Sequence, residues 1–346
     1  LSIEPSTGHV KAWVGGIDYK FFQFDNVYHS RRQVGSTFKP FVYATALRLG
    51  MHPCTELPNQ KVVIEMPDGQ PPWSPDNSDF KYGGMVTMKY ALANSMNTIT
   101  AKLIKEYGTD VVVRTAQDMG ITSKVPSVPS IALGVAELSL FEMVAANATF
   151  ANKGVYIEPI IIVRIEDKNG NVIYEPELNI RQGIDEVTAY KTIELMKGVV
   201  DGAYNRETGK TSGTGVRLRM DLASREYDGI KTPMAGKTGT TQNNTDGWFM
   251  GLTPTLVTGV WVGAQDPGVR FSSTDKGQGA NTGLPIFGFY MKQAYADKSL
   301  AIPTADFEAP EGFDASSLDC RKYSEDKSVN FGSEVEETIE DEELFD

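Results

Sequence analysis

The sequence contains little cysteine and little histidine. Its only cysteines are Cys54 and Cys320, and neither belongs to a CxxC motif or a Cys/His cluster. This spacing argues against a zinc site, and we expect no metal and no cofactor. A disulfide needs only spatial proximity and stays open, but judged from the compartment alone two separate thiols are favoured.

Long apolar runs and an excess of basic residues are also missing. No stretch reaches the roughly 20 apolar residues that span a bilayer, and no signal peptide is visible. The net charge of -12 argues against a nucleic-acid partner and against adhesion to anionic lipid. Because Leu1 lies within an extended pattern, we expect a fragment whose anchor or targeting signal lies upstream.

The first half of the sequence has mostly helical signals. A turn at 5–8 between two extended segments predicts a hairpin. Pro40 fits only a first helical turn, so we predict a helix that starts close to Ser36 and ends at Gly50. After a loop-rich segment, helical periodicity resumes and continues to about Gly154, with a proline-rich interruption.

The second half has mostly strand signals. We predict a strand pair around 168–171, helices near 185–202 and 284–297, and an antiparallel meander from 231 onward. Together the two halves predict an α+β fold, with an antiparallel sheet flanked by helices. The segment SEVEETIEDEELFD has no basic residue, so we predict an acidic, disordered or loosely tethered tail beyond about 323.

A serine and a lysine three residues apart form the first candidate for chemistry. On a helix this spacing places both side chains on one face, where an amine can take a hydroxyl proton. The pattern occurs at Ser36–Lys39, Ser78–Lys81, Ser273–Lys276 and Ser324–Lys327. Ser36 alone follows a glycine and precedes a long apolar helix, so only this pair is favoured as a nucleophile and its base.

Two further segments carry polar groups in an informative setting. Ser95 and Asn97 lie in the apolar segment ALANSMNTITAKLI, and they offer a hydroxyl and an amide either to a cleft or to a helix end. Lys237–Thr240 places a cation and two hydroxyls beside Gly239 on a predicted strand. Such a strand edge binds an extended peptide and its carboxylate, although an ordinary strand next to a turn fits the segment too.

Two common alternatives fit the sequence poorly. The segment AGKTGT resembles part of a phosphate-binding loop, but Lys231 replaces the required glycine and a strand follows. A Ser-His-Asp triad would have to use one of three histidines, and no GxSxG motif occurs. His29, although near Ser36 in the sequence, is more typical of a solvated loop residue.

In this order, Ser36–Lys39, Ser95–Asn97 and Lys237–Thr240 resemble the three signature motifs of penicillin-binding proteins and serine β-lactamases. The segments RRQVGSTFKPFVYATAL, IALGVAELSLFEMVAANATFANKG and DGWFMGLTPTLVTGVWVG, with the GTG at 213–215, resemble class A penicillin-binding proteins. The resemblance implies a transpeptidase domain at 1–305 with an adjoining helical subdomain. It leaves 306–346 as a C-terminal extension.

The resemblance also implies roles for the catalytic residues. Ser36 would attack the penultimate D-Ala carbonyl of a stem peptide, with Lys39 as its base. Ser95 would relay a proton to the leaving amine, and Lys237 would bias the charges nearby. β-Lactams would acylate the same serine, on the periplasmic or extracytoplasmic face of a bacterial membrane, where cell-wall synthesis partners are possible.

For substrate binding, the resemblance implies that Asn97 holds the substrate amide and that Thr238 and Thr240 bind the terminal carboxylate. Gly239 would let the peptide approach the strand, and by the same resemblance the N–H groups of Ser36 and Thr240 would form an oxyanion hole. A D,D-carboxypeptidase would share these residues. A serine β-lactamase would need a base for water, for which Glu137 is the available candidate, and a non-catalytic β-lactam sensor or scaffold is the alternative from another class.

Overall fold

The structure is a computed structural model that describes residues 1–67, 69–222 and 225–323. Strands and helices both contribute, which confirms the predicted α+β class. The predicted acidic tail, from 324 onward, lies outside the described residues. In the described part of the chain, no helix is long and apolar enough to cross a bilayer.

Strands and helices alternate along the described part of the chain, and only helices follow the last strand there. The strands are β1 Ser2–Ile3, β2 Val10–Ala12, β3 Arg32–Gln33, β4 Glu56–Pro58, β5 Met85–Thr87, β6 Glu137–Leu138, β7 Val155–Ile157, β8 Ile165–Glu166, β9 Val172–Tyr174, β10 Ile180–Gln182, β11 Ala203–Tyr204, β12 Thr211–Ser212, β13 Ala235–Thr240, β14 Asp246–Leu252 and β15 Val257–Gly263. The α-helices are α1 Lys39–Arg48, α2 Met88–Ala93, α3 Asn97–Tyr107, α4 Thr109–Asp118, α5 Leu140–Ala151, α6 Glu186–Asp201, α7 Thr274–Gly277 and α8 Gly283–Ala296. Short 3-10 helices occupy Gly35–Phe38, Pro129–Leu133, Val216–Leu218, Gln242–Asn244, Lys298–Leu300 and Ala315–Leu318.

The largest sheet has five antiparallel strands in the order β13-β14-β15-β1-β2. The predicted N-terminal hairpin and C-terminal meander are both present, and Ser2 pairs with Thr258 to join them. Opposed residues of neighbouring strands point to the same face, and successive residues alternate. A Cβ at Gly251 would meet Phe287 of α8, and one at Gly259 would meet Val144 of α5. Helices α8 and α5 therefore cover opposite faces of the sheet.

Helix α1 runs through the middle of the helical part. It packs against α3, α4 and α6, and its residues from Lys39 to Leu47 are all buried. A helix that is buried on all sides belongs inside a protein. Its start is slightly different from the prediction, because a 3-10 turn at Gly35–Phe38 precedes the α-helix.

The predicted long helical region after the loop is divided into several pieces. Helix α2 ends at Ala93 and α3 begins at Asn97, because Ser95 adopts a left-handed backbone with φ of 56°. Its N–H donates to the carbonyl of Leu92, and the N–H of Met96 donates to that of Ala91. The break therefore closes α2 as a helix end does.

The expectation of two separate thiols was wrong. Cys54 and Cys320 form a disulfide that links positions 266 residues apart. Nearby, Leu318 is buried, and Phe313 makes an edge contact with Tyr190. The described part of the C-terminal extension is therefore packed against the preceding residues. The boundary at 305 stays a prediction.

Candidate active site

The three motifs meet in one cleft of about 770 Å³. Its lining includes five of the predicted site residues, which are Ser36, Ser95, Asn97, Thr238 and Thr240. The two predicted lysines are fully buried beneath this lining. Segments that are about 200 residues apart in the sequence are thus adjacent in the structure.

Ser36 lies on the short 3-10 helix that leads into α1. Gly35, immediately before it, has φ of 53°, and a Cβ there would lie 2.9 Å from the carbonyl oxygen of Thr240. Only glycine combines this backbone with such a close approach. Gly35 therefore allows the turn that carries Ser36 to pack directly against the end of β13.

Lys39 follows one turn later with its amine enclosed by acceptors. The Nζ atom donates to the carbonyl oxygen of Ser95 at 2.6 Å and to Asn97 Oδ1 at 2.7 Å, and it lies 3.3 Å from Ser95 Oγ. Burial, and then the positive charge of Lys237, hold the pKa of Lys39 well below its usual 10.5. An amine of this kind is able to accept a proton near neutral pH.

Ser95 connects the two lysines. Lys237 Nζ donates to Ser95 Oγ at 2.9 Å and to the carbonyl oxygen of Thr238 at 3.0 Å. Burial lowers the pKa of Lys237 to about 7. The left-handed backbone of Ser95 brings its carbonyl and its hydroxyl to the same place, which gives a reason for the strained conformation.

Asn97 is not the capping residue that one reading of the sequence suggested. Its Oδ1 accepts a hydrogen bond from Lys39 Nζ, and its Nδ2 donates to the carbonyl oxygen of Asp76 at 2.7 Å. The capping role belongs to Asn77, whose Oδ1 accepts from the N–H groups of Asn97 and Thr98. Asn77 was not among the residues predicted from the sequence, where its only signal was its place in a polar loop.

Strand β13 forms the opposite wall as the edge strand of the large sheet. Thr238 donates to Thr214 Oγ1 at 2.8 Å, and Thr240 Oγ1 accepts from the N–H of Gly279 at 3.1 Å. A Cβ at Gly239 would lie 2.8 Å from the Thr37 side chain. Gly239 thus packs against the element that bears Ser36, and it does not line the cleft.

The structure adds one residue to the site, and it locates two of the three disfavoured serine–lysine pairs. Thr214, inside the GTG segment, contacts the strand through Thr238, a role that no spacing rule predicts. Ser78 lines the cleft, but Lys81 is exposed and does not. Ser273–Lys276 lies at α7, and Ser324–Lys327 lies outside the described residues.

Comparison with known proteins supports one family. The model of the penicillin binding protein transpeptidase domain matches residues 1–268. The chain is 35% identical over 312 residues to "Penicillin-binding protein 2D" of Bacillus subtilis, covering 90% of the chain and 42% of that relative. It is 32% identical over 310 residues to "Penicillin-binding protein 1A" of Aquifex aeolicus, covering 90% and 39%. The chain thus spans about two fifths of these curated relatives.

Solved structures agree. Penicillin-binding protein 1A from Haemophilus influenzae superposes with a TM-score of 0.78 at 27% identity, over 90% of this chain and 48% of that one. PonA1 from Mycobacterium tuberculosis, solved in complex with penicillin V, has the same fold, with a TM-score of 0.71 at 24% identity over 90% and 80%. The predicted resemblance to class A penicillin-binding proteins is confirmed, and the chain belongs to the penicillin-binding protein transpeptidase domain family.

Proposed function

We propose that the cleft catalyses D,D-transpeptidation of peptidoglycan stem peptides through an ester on Ser36. The observation that carries the proposal is the amine of Lys39, buried one helical turn from Ser36 and held by acceptors on Ser95 and Asn97. Family membership supports the same reaction class. Because the chain spans only part of its relatives, the proposal concerns this domain.

The acylation step uses the two lysines differently. The Ser36 hydroxyl attacks the penultimate D-Ala carbonyl while its proton passes to the neutral amine of Lys39. The N–H groups of Ser36 and Thr240 stabilise the oxyanion. Collapse breaks the peptide bond, and the leaving D-Ala amine takes a proton through Ser95 Oγ, which Lys237 contacts at 2.9 Å. An acceptor amine then attacks the ester and restores the hydroxyl.

Binding of the donor peptide uses the strand edge. Thr238 and Thr240 hold the terminal carboxylate, Asn97 holds a substrate amide, and the edge of β13 pairs with the peptide backbone. β-Lactams, which carry a carboxylate next to a reactive carbonyl, acylate the same serine. The PonA1 complex with penicillin V supports this part of the proposal.

The β-lactamase alternative is disfavoured by the placement of acidic residues. Glu137 is exposed on β6, paired in register with Gln33, and it does not line the cleft. Among the described lining residues, none is Asp or Glu. A water-activating carboxylate is therefore missing from the lining, and this favours a persistent acyl-enzyme.

We assign the domain to the extracytoplasmic side, because a disulfide persists in oxidising compartments and stem peptides are found there. An anchor upstream of Leu1 and contacts with other cell-wall synthesis proteins stay predictions.

The test is mass spectrometry after exposure to benzylpenicillin. We expect one acyl group on Ser36 that persists for minutes, and none on a Ser36→Ala chain. Release of D-Ala from a D-Ala-D-Ala thioester, with transfer to a D-amino acid acceptor, then separates a transpeptidase from a carboxypeptidase or a sensor. Acylation elsewhere, or rapid turnover of the penicillin, contradicts the proposal.

A further inference from the structure

The charges that line the cleft all have one sign. Among its twenty described lining residues, Arg217 and Arg225 are the only charged ones. The cleft is therefore suited to anionic groups and offers no carboxylate to recognise an amine.

Neither arginine has an acidic partner within the described ranges. Arg217 donates to the carbonyl oxygen of Ala280 at 3.0 Å and to the side chain of Asn281, and Arg225 contacts Met220 Sδ at 3.7 Å. By contrast, the nearby Arg219 pairs with Asp201 at 2.7 Å. Since a guanidinium has five N–H donors, both cleft arginines keep donors for a ligand.

The position of the arginines connects them to the carboxylate-binding end. The segment that carries them begins at Thr214, which accepts from Thr238, and continues through Met220, which also lines the cleft. Ala280, bound by Arg217, follows the glycine whose N–H donates to Thr240. Arg217 thus lies beside the threonines, and Arg225 lines the same cleft.

We propose, on the basis of the function proposed above, that Arg217 and Arg225 select stem peptides whose diamino acid carries a free carboxylate. A diaminopimelate-type residue and lysine offer the same reactive amine and differ by the carboxylate beside it. Because no lining residue is acidic, the cleft distinguishes the two through that carboxylate. Thr238 and Thr240 take the terminal carboxylate, and Arg225, with Arg217, takes the second one in a charge-assisted pair.

The test is an internal competition between two pentapeptides that end in D-Ala-D-Ala. They are identical except that the side-chain carboxylate of the diamino acid is free in one and amidated in the other. The ratio of kcat/KM for D-Ala release is measured by mass spectrometry. We expect about tenfold preference for the free carboxylate, decreasing at about 0.5 M salt.

Substitutions test whether the preference depends on Arg225. Arg225→Gln should lower the ratio to within about twofold of unity, and Arg225→Lys should restore part of it. Arg114→Gln, which removes the same charge from the exposed face of α4, should leave the ratio unchanged. A wild-type ratio below twofold, or an unchanged ratio in Arg225→Gln, overturns the inference. Because acylation of Ser36 by benzylpenicillin is scored separately, its absence would instead contradict the proposed function.

Discussion

The two walls of the cleft each bury a lysine, but they surround it differently. The helical wall consists of Gly35–Phe38, α1 and the connection from α2 to α3, and the strand wall is β13. On the helical wall, Lys39 has three oxygen acceptors within 3.3 Å, and none is a carboxylate. On the strand wall, Lys237 has two, and one of them is Ser95 Oγ, shared with Lys39.

The difference shows that the charge of one buried lysine lowers the pKa of the other. Burial alone lowers the pKa of Lys237 to about 7, so this amine carries charge in part of the population at neutral pH. Lys39 is lowered by burial and by the charge of Lys237. The strand wall thus helps to keep the helical-wall amine neutral and ready to accept a proton.

Removing the amine of the helical wall should have the largest effect. We expect Lys39→Met to slow acylation by benzylpenicillin about 10³-fold, because the Ser36 proton would lose its proposed acceptor. The second-order rate constant of acylation measures this. Lys81→Met is the matched control, since Lys81 has the same spacing from a serine but is exposed. A rate within tenfold of wild type would show that Lys39 is not the base.

Removing the cation of the strand wall should have a smaller effect with a distinct signature. We expect Lys237→Gln to slow acylation about 10- to 100-fold, through loss of its contact with Ser95. The rate of wild type should rise with pH as Lys39 loses its proton, with a midpoint well below 10.5. Since the charge of Lys237 lowers that pKa, Lys237→Gln should move the rising limb to higher pH. If the rising limb does not move, the charge of Lys237 does not influence the pKa of Lys39.

Residues on both walls could be predicted from the sequence where a local pattern determines them. Ser36, Lys39 and the strand residues follow from local patterns, because helix and strand periodicity fix which side chains share a face. The hairpin, the meander and helices α6 and α8 were predicted for the same reason. The sequence could not show that β1 inserts beside β15, because this pairing joins residues more than 250 positions apart.

The errors have the same origin in long-range structure. The Cys54–Cys320 disulfide depends on where the C-terminal segment packs, and composition carries no information on that. The helix break at Ser95 contradicts the local helical pattern, and the contacts of Ser95 with two buried lysines override it. Asn77 has no distinguishing spacing, and Thr214 was noted only as part of the GTG segment, so their roles follow from their contacts.

The join between the walls gives a third way to test the comparison. A Cβ at Gly239 would lie 2.8 Å from Thr37 and 3.0 Å from the carbonyl oxygen of Val34. We expect Gly239→Ala to lower the free energy of unfolding by about 1–3 kcal/mol and to slow acylation roughly fivefold, because the walls must separate. Chemical denaturation and acylation rates measure both. Gly16→Ala, whose nearest neighbour would be 3.7 Å away, should change neither.

The support behind the strand wall should have the smallest effect. In Thr214→Val, the Thr238 hydroxyl loses its hydrogen-bond partner but keeps its place on the strand. Because a hydroxyl has one proton, a Thr238 that donates to a carboxylate has to accept from Thr214, and valine cannot donate. We expect about a two- to fivefold loss in kcat/KM for a D-Ala-D-Ala peptide. The loss should appear as a higher KM, because in the proposed function Thr238 binds the terminal carboxylate. The pH profile should be unchanged, since neither lysine contacts Thr214. Thr208→Val, on the exposed tip of the β11–β12 hairpin, is the matched control. A shifted pH profile in Thr214→Val would mean that a strand-wall residue other than Lys237 also influences the pKa of Lys39. The two walls would then not have the separate roles described above.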